Sequence, residues 1–137
     1  MTPLLGASRA LQSNPVLLDS NVVIWLSNKS SRLSAQMIYQ LQTYPDVYVS
    51  AISALEISIK QTIGKLSLAG SVSEMIRIKN LKELQVTVEH GEAVQSLPLF
   101  HRDPFDRLLV AQAKVEGMVL VTADRMLLRY GVPVLLV

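Results

Sequence analysis

The stretch "HRDPFDRLLVAQAKVEGMVLVTAD", His101 to Asp124, holds a helix and a strand in succession, and that pairing decides the fold. Asp103 suits an N-cap, Pro104 suits the first helical position with its fixed φ, and Asp106 falls in the first turn beside the positive end of the helix dipole. The run "LLVAQA" behind them is almost wholly apolar, as a buried helix requires. "MVLVT" then reads as a strand buried on both faces that runs into Asp124.

The same alternation extends outward in both directions. "VLLD", Val16 to Asp19, is a short apolar run closing on a carboxylate, and "SNVVIWLS" after it suits a helix. "RLSAQMIYQLQTY" spaces Leu33, Met37, Ile38 and Leu41 as an amphipathic helix with Ser34 at its start. "DVYVS" is a strand, and "SALEISIKQTIGKL" is a helix ending near Gly64. Residues 71–83 read as a helix with Met75, Ile76 and Leu81 on one side. "LQVTV" is a brief strand, "EHGEAVQSLPL" a short helix broken by Pro98, "RMLLRYG" one more helix and "VPVLLV" the last strand. Runs as apolar as "VLL", "MVLV" and "PVLLV", alternating with helices, predict a parallel sheet covered on both faces, a three-layer α/β/α domain over residues 16–137. Residues 1–15 end in Pro15 and show no period, so they are expected to form a flexible extension.

Composition narrows the function classes. The chain has 137 residues, half of them apolar and 18% charged, which fits one compact domain. It has no cysteine, which excludes disulfides, a thiolate zinc site and a cysteine nucleophile. No stretch approaches the roughly 20 apolar residues of a membrane span, and the N-terminus lacks a secretory pattern, so a cytoplasmic protein with no membrane partner is expected. With one Trp, two Phe and four Tyr, a base-stacking platform is disfavoured. Any nucleic acid would be held through its backbone.

In parallel sheets, ligands bind at the carboxyl ends of the strands. Asp19 closes the first strand, Asp124 follows "MVLVT", Glu56 is expected in the first turn of the helix after "DVYVS", and Asp106 in the first turn of the helix begun at Asp103. Each has a local structural reading: "SALE", Ser53 to Glu56, has the capping-box pattern, and Asp124 can cap the helix beside it. Capping does not require four carboxylates on one rim. Grouped carboxylates repel, and a hard divalent cation with oxygen ligands, magnesium or manganese, relieves the repulsion. If Asp19, Glu56, Asp103, Asp106 and Asp124 share a pocket, six of the 11 acids remain to face 13 Lys and Arg, a formal excess of seven. A basic surround with an acidic pocket suits a polyanion held outside and cut inside.

These residues carry a family resemblance. "LLDSNVVIWL", "SAISALEISIKQTIGKLSL", "HRDPFDRLLVAQAKVEGMVLVTAD" and "YGVPVLLV" together resemble the PIN-domain ribonucleases, specifically the VapC-type toxins of bacterial toxin–antitoxin pairs, over about residues 16–137. The resemblance implies a PIN-like three-layer fold with a central parallel sheet. It implies an endoribonuclease using one or two magnesium or manganese ions, with Asp19, Glu56, Asp106 and Asp124 as ligands and water as nucleophile. It also implies an RNA substrate, a cognate antitoxin and a homodimer. The chain departs from the pattern at several places. Ser20 and Asn21 stand where the subgroup often has Thr-His, Leu55 where a Trp often precedes the Glu, and Ala123 where an Arg often precedes the last Asp. None of these removes a carboxylate.

Around the four acids, Ser20, Asn21, Ser53, Lys60, Asp103, Arg107, Thr122 and Arg125 are candidates for supporting or substrate-binding roles. Lys60, four residues after Glu56, reads either as a helix-surface ion pair or as a phosphate contact. Ser53 and Thr122 are read as capping or orienting groups, and His101 as a candidate proton shuttle or an exposed loop residue. Two alternatives remain beside the nuclease. One is a catalytically weak PIN-like module that binds RNA or a partner. The other is a haloacid-dehalogenase-like phosphohydrolase, which would want a second Asp where Asn21 stands.

Overall fold

The computed structural model describes residues 4–5 and 13–137. Strands β1 (Leu4–Leu5), β2 (Val16–Leu18), β3 (Val47–Ser50), β4 (Lys82–Leu84), β5 (Val119–Thr122) and β6 (Val134–Leu136) form one sheet in the order β1-β6-β5-β2-β3-β4. Strands β2 to β6 are mutually parallel, and β1 lies antiparallel on the β6 edge. Of the extension expected over residues 1–15, Leu4 and Leu5 thus join the sheet, while residues 1–3 and 6–12 lie outside the described residues. Helices α1 (Ser20–Ser27), α2 (Ala35–Gln42), α3 (Ala51–Thr62), α4 (Val72–Ile78), α5 (Val88–Ala93) and α6 (Pro104–Glu116) connect the strands, with 3-10 turns at Val94–Ser96 and Arg125–Tyr130. Among the described residues, no helix is long and apolar enough to cross a membrane.

The strands are short, and their alternation splits the core into two layers. Val16, Leu18, Val119 and Val121 face α1, α2 and α4, where they pack with Val22, Val23, Met37, Leu41 and Met75. Leu17, Leu120 and Val134 face α6 and the second 3-10 turn, where they meet Leu109, Val110, Ala113 and Leu127. Burying each such Leu or Val fully contributes about 1.5–3 kcal/mol, so the sheet is held chiefly from its two faces. The chain leaves β2 toward β3 and β4, then returns to place β5 on the other side of β2. The crevice at that reversal, outside the carboxyl ends of β2 and β5, is where such sheets bind ligands.

Several boundaries differ from the sequence reading. Helix α3 starts at Ala51 with Ser50 as its N-cap, the Ser50 Oγ accepting from Ile52 N at 3.1 Å. The expected capping box at Ser53 and Glu56 is therefore absent, and Glu56 sits in the second turn, not the first. The strand ends on its own capping serine and no loop intervenes. The helix expected over 71–83 stops at Ile78. Asn80, at φ 54°, turns the chain left-handed, with Leu81 N bonded to Ile76 O and Asn80 N to Arg77 O, a Schellman closure. The strand expected at "LQVTV" lies instead at Lys82–Leu84, pairing with β3, and Thr87 caps α5. "RMLLRY" is a 3-10 turn and not an α-helix.

Candidate functional site

Each of the four acids is placed by a different junction. Asp19 is the residue after β2 and the N-cap of α1, yet its Oδ2 is taken by the Thr122 hydroxyl, which donates to it at 2.6 Å from the end of β5. The same Thr122 Oγ1 accepts from Asp124 N at 3.0 Å, so one hydroxyl ties the two acids on either side of the crevice. Asp124 caps the 3-10 turn, its Oδ1 accepting from Met126 N at 2.9 Å, which leaves Oδ2 free to turn inward. Asp106 stands in the first turn of α6. Asp103 is the N-cap of that helix, accepting from Phe105 N at 2.8 Å, and Pro104 opens it. Glu56 comes from α3, which contacts both α1 and α6 and so brings the fourth acid to the same rim.

Their electrostatics are those of a crowded anionic site. Asp19 is 4% exposed. Burial pushes its carboxyl above the ordinary value; the Thr122 hydroxyl and the Ser20 amide oppose this, and Glu56 and Asp124 add to it. Asp106 is pushed up to about 7, first by burial and then by the charges of Asp19, Asp103 and Glu56, with His101 pulling the other way. Glu56 is 7% exposed, and its Oε2 pairs with Lys60 Nζ at 3.0 Å. Its Oε1 is buried with no hydrogen-bond partner among the described residues. An unpartnered buried carboxylate oxygen is costly, and its presence beside three more acids suits a bound cation.

His101 has a larger part than its place in a loop suggests. Its Nε2 lies 3.0 Å from Asp124 Oδ2 and 3.2 Å from Asp106 Oδ2. These three residues could offer ligand atoms that all lie within 4.8 Å of one another. The loop carrying His101 is fastened from several sides. Its N–H donates to Tyr130 Oη at 2.8 Å, and Tyr130 packs edge-on against Phe100, whose face Arg129 covers at 4.1 Å.

The supporting candidates divide. Ser20 and Ser53, both buried, bond each other through their hydroxyls at 2.8 Å, between the elements that carry Asp19 and Glu56. Arg107 is turned inward, its guanidinium donating to the carbonyls of Val94, Leu97, Pro98 and His101, so it holds the His101 loop and does not face solvent. That position corrects its reading as a substrate contact. Asn21 and Arg125 are exposed at the rim. The sequence reading missed a buried network beneath α3. Ser50 Oγ donates to Gln112 Oε1 at 2.6 Å, and Gln112 Nε2 reaches Gln85 O and His90 Nδ1. Its one visible signal was a glutamine inside the apolar run "LLVAQA".

Comparison with known proteins matches the sequence to a family. The sequence model of the PIN domain matches residues 16–133. Ribonuclease VapC22 of Mycobacterium tuberculosis is 32% identical over 115 residues, covering 82% of this chain and 88% of the relative. Among solved structures, VapBC2 from Rickettsia felis, bound to a DNA fragment from its promoter, aligns at a TM-score of 0.65 and 15% identity, covering 88% of this chain and 96% of that one. FitAcB from Neisseria gonorrhoeae aligns at 0.61 and 18% identity, over 87% and 95% respectively. These structural likenesses concern the fold.

Proposed function

The chain belongs to the PIN domain family, and from that premise we propose that it is a divalent-metal-dependent endoribonuclease acting as the toxin of a toxin–antitoxin pair. The observation that carries the reading is the convergence of Asp19, Glu56, Asp106 and Asp124 from four separate elements, close enough to act on one another's charge, with Glu56 Oε1 buried and unpartnered among the described residues and Asp106 pushed up to about 7, first by burial and then by neighbouring carboxylates. Such a set of oxygens fits Mg²⁺ or Mn²⁺, as one or two ions. When bound, the ion supplies a water activated for attack and neutralises charge building on the phosphoryl oxygens.

The chain's own residues do the rest. Thr122 holds Asp19 in one orientation and fixes the backbone of Asp124. Lys60 pairs with Glu56 at 3.0 Å, and in this reading it also meets a phosphate of the strand being cut. Arg125 and Arg102, exposed beside the rim, are suited to hold the RNA backbone. The family assignment leaves the dehalogenase-like alternative without support. A solved toxin–antitoxin complex from Klebsiella pneumoniae, similar in fold at a TM-score of 0.56 and 16% identity, supports an antitoxin partner. The groove lined by Ile38, Leu41, Leu81 and Val47 gives it an apolar surface to cover. A homodimer and a cytoplasmic setting belong to the same reading.

The test is cleavage of total RNA by the purified chain in Mg²⁺, Mn²⁺ or EDTA, beside an Asp106→Asn variant. Metal-dependent cleavage lost in the variant is expected. Cleavage persisting in EDTA or in the folded variant would sink the metal-ligand assignment, and no cleavage of any RNA would favour a binding module.

A further inference from the structure

The geometry points to His101 as a positioning residue whose Nε2–H bridges Asp106 and Asp124 and holds them at chelating separation before any ion arrives. The inference rests on the metal-site reading above and adds a residue to it. Its basis is the tautomer. His101 Nδ1 accepts the Asp103 backbone N–H at 3.2 Å, so in the neutral ring the proton must sit on Nε2. That nitrogen faces Asp124 Oδ2 at 3.0 Å and Asp106 Oδ2 at 3.2 Å, so a single N–H is shared between two carboxylates. A ring so oriented presents a donor to the acids and no lone pair to a cation. This separates a positioning role from ligation.

The arrangement solves a specific problem. Asp106 is carried by α6 and Asp124 by the 3-10 turn after β5, with no hydrogen bond between the two side chains that could fix their spacing. His101 is itself immobilised: Tyr130 Oη accepts its N–H, Arg107 Nη1 donates to its carbonyl, and Asp103 fixes its ring. Asp103 therefore caps α6 through its carboxylate while its amide sets the histidine tautomer, which couples the start of the helix to the spacing of the acids. Partners of this kind, which hydrogen-bond metal ligands without binding the metal, typically cost 10- to 100-fold in metal affinity when removed.

The test measures Mn²⁺ binding to the full chain and imidazole ¹⁵N shifts of the metal-free chain. His101→Ala should weaken Mn²⁺ binding about 10- to 100-fold, and His101→Gln, whose amide N–H can take the place of Nε2–H, should recover most of that loss. In the metal-free chain the His101 ring should be the Nε2–H tautomer. An Nδ1–H tautomer overturns the inference, as does a ¹⁴N coupling to bound Mn²⁺ from a directly coordinated imidazole, or His101→Ala binding as tightly as wild type. If wild type and Asp106→Asn bind Mn²⁺ equally, the metal-site reading itself fails. If only Asp106→Asn loses the ion while His101→Ala keeps it, the positioning role alone fails. The tautomer measurement on wild type and the Gln variant stands even where His101→Ala does not fold.

Discussion

Asp106→Asn should stabilise the metal-free chain at alkaline pH while abolishing its response to metal. In the folded chain the Asp106 carboxyl is raised from 3.8 to about 7, so between those values the folded state holds a proton that the unfolded state has released. Its favourable contribution is therefore full below about pH 4 and is lost as pH rises through about 7. At about 1.4 kcal/mol per pH unit, holding the ionised form costs on the order of 4 kcal/mol. Water reaches one edge of the side chain, which is 18% exposed, so about half of that, roughly 2 kcal/mol, is a realistic penalty. Asparagine keeps the shape without the charge. For a domain of this length a change of about 2 kcal/mol moves the melting temperature by roughly 6–10 °C. Thermal melts in EDTA from pH 4.5 to 8.5 should show the variant gaining on wild type as pH rises. With Mn²⁺ added near 100 times its dissociation constant, wild type should rise by about 2.7 kcal/mol and the variant should not. A variant less stable than wild type at pH 8, or a difference independent of pH, would refute the reasoning.

Three further outcomes follow from the same contacts. Thr122→Val removes the hydroxyl that favours ionised Asp19, so Mn²⁺ binding should weaken most at acidic pH and recover as pH rises. Titrations at pH 6 and 8 check this, and an equal loss at both would contradict it. Leu109→Ala, at a fully buried α6 position that anchors the helix carrying Asp106, should cost about 2–5 kcal/mol in urea unfolding. Gln112→Ala strands Ser50, the N-cap of α3, and His90 within the core. It should lower stability by about 1–3 kcal/mol, with hydrogen exchange rising at the start of α3 more than in α1.

The parts of the fold that could be read from sequence were those set by local chemistry. Asp103 and Pro104 start α6 wherever that segment sits, and a run such as "MVLVT" has no stable home except a sheet covered on both faces. The start of α3 could not be read in the same way, because Ser50 serves at once as the last residue of β3 and as the helix cap. Ser53 and Glu56 have the spacing of a capping box but lie wholly inside the helix, where both are buried, Ser53 bonded to Ser20 and Glu56 paired with Lys60. The end of α4 turns on a single left-handed residue, Asn80. Once the helix stops there, the polar "KEL" is close enough to pair with β3 as an edge strand. Tertiary pairing overrides propensity most easily in segments this short.

The same distinction explains the site. That Asp19 and Asp124 stand on either side of one crevice followed from where parallel strands end, which is a property of topology. How they are held depends on contacts that link residues far apart in the chain: Thr122 with Asp19, His101 with Asp124, Ser50 with Gln112. None of these pairs leaves a periodic signature, because each is a polar group meeting the one partner its burial demands. The metal-free fold then answers its own crowding with an imidazole N–H between Asp106 and Asp124, while burial first and neighbouring carboxylates second push the Asp106 carboxyl up to about 7. Of the four acids, only Glu56 keeps a buried oxygen that no proton donor in the described structure reaches. Its carboxylate is therefore the one whose burial is most directly relieved by a cation, and Glu56→Gln, which can turn an amide N–H into that gap, should stabilise the metal-free chain while weakening Mn²⁺ binding.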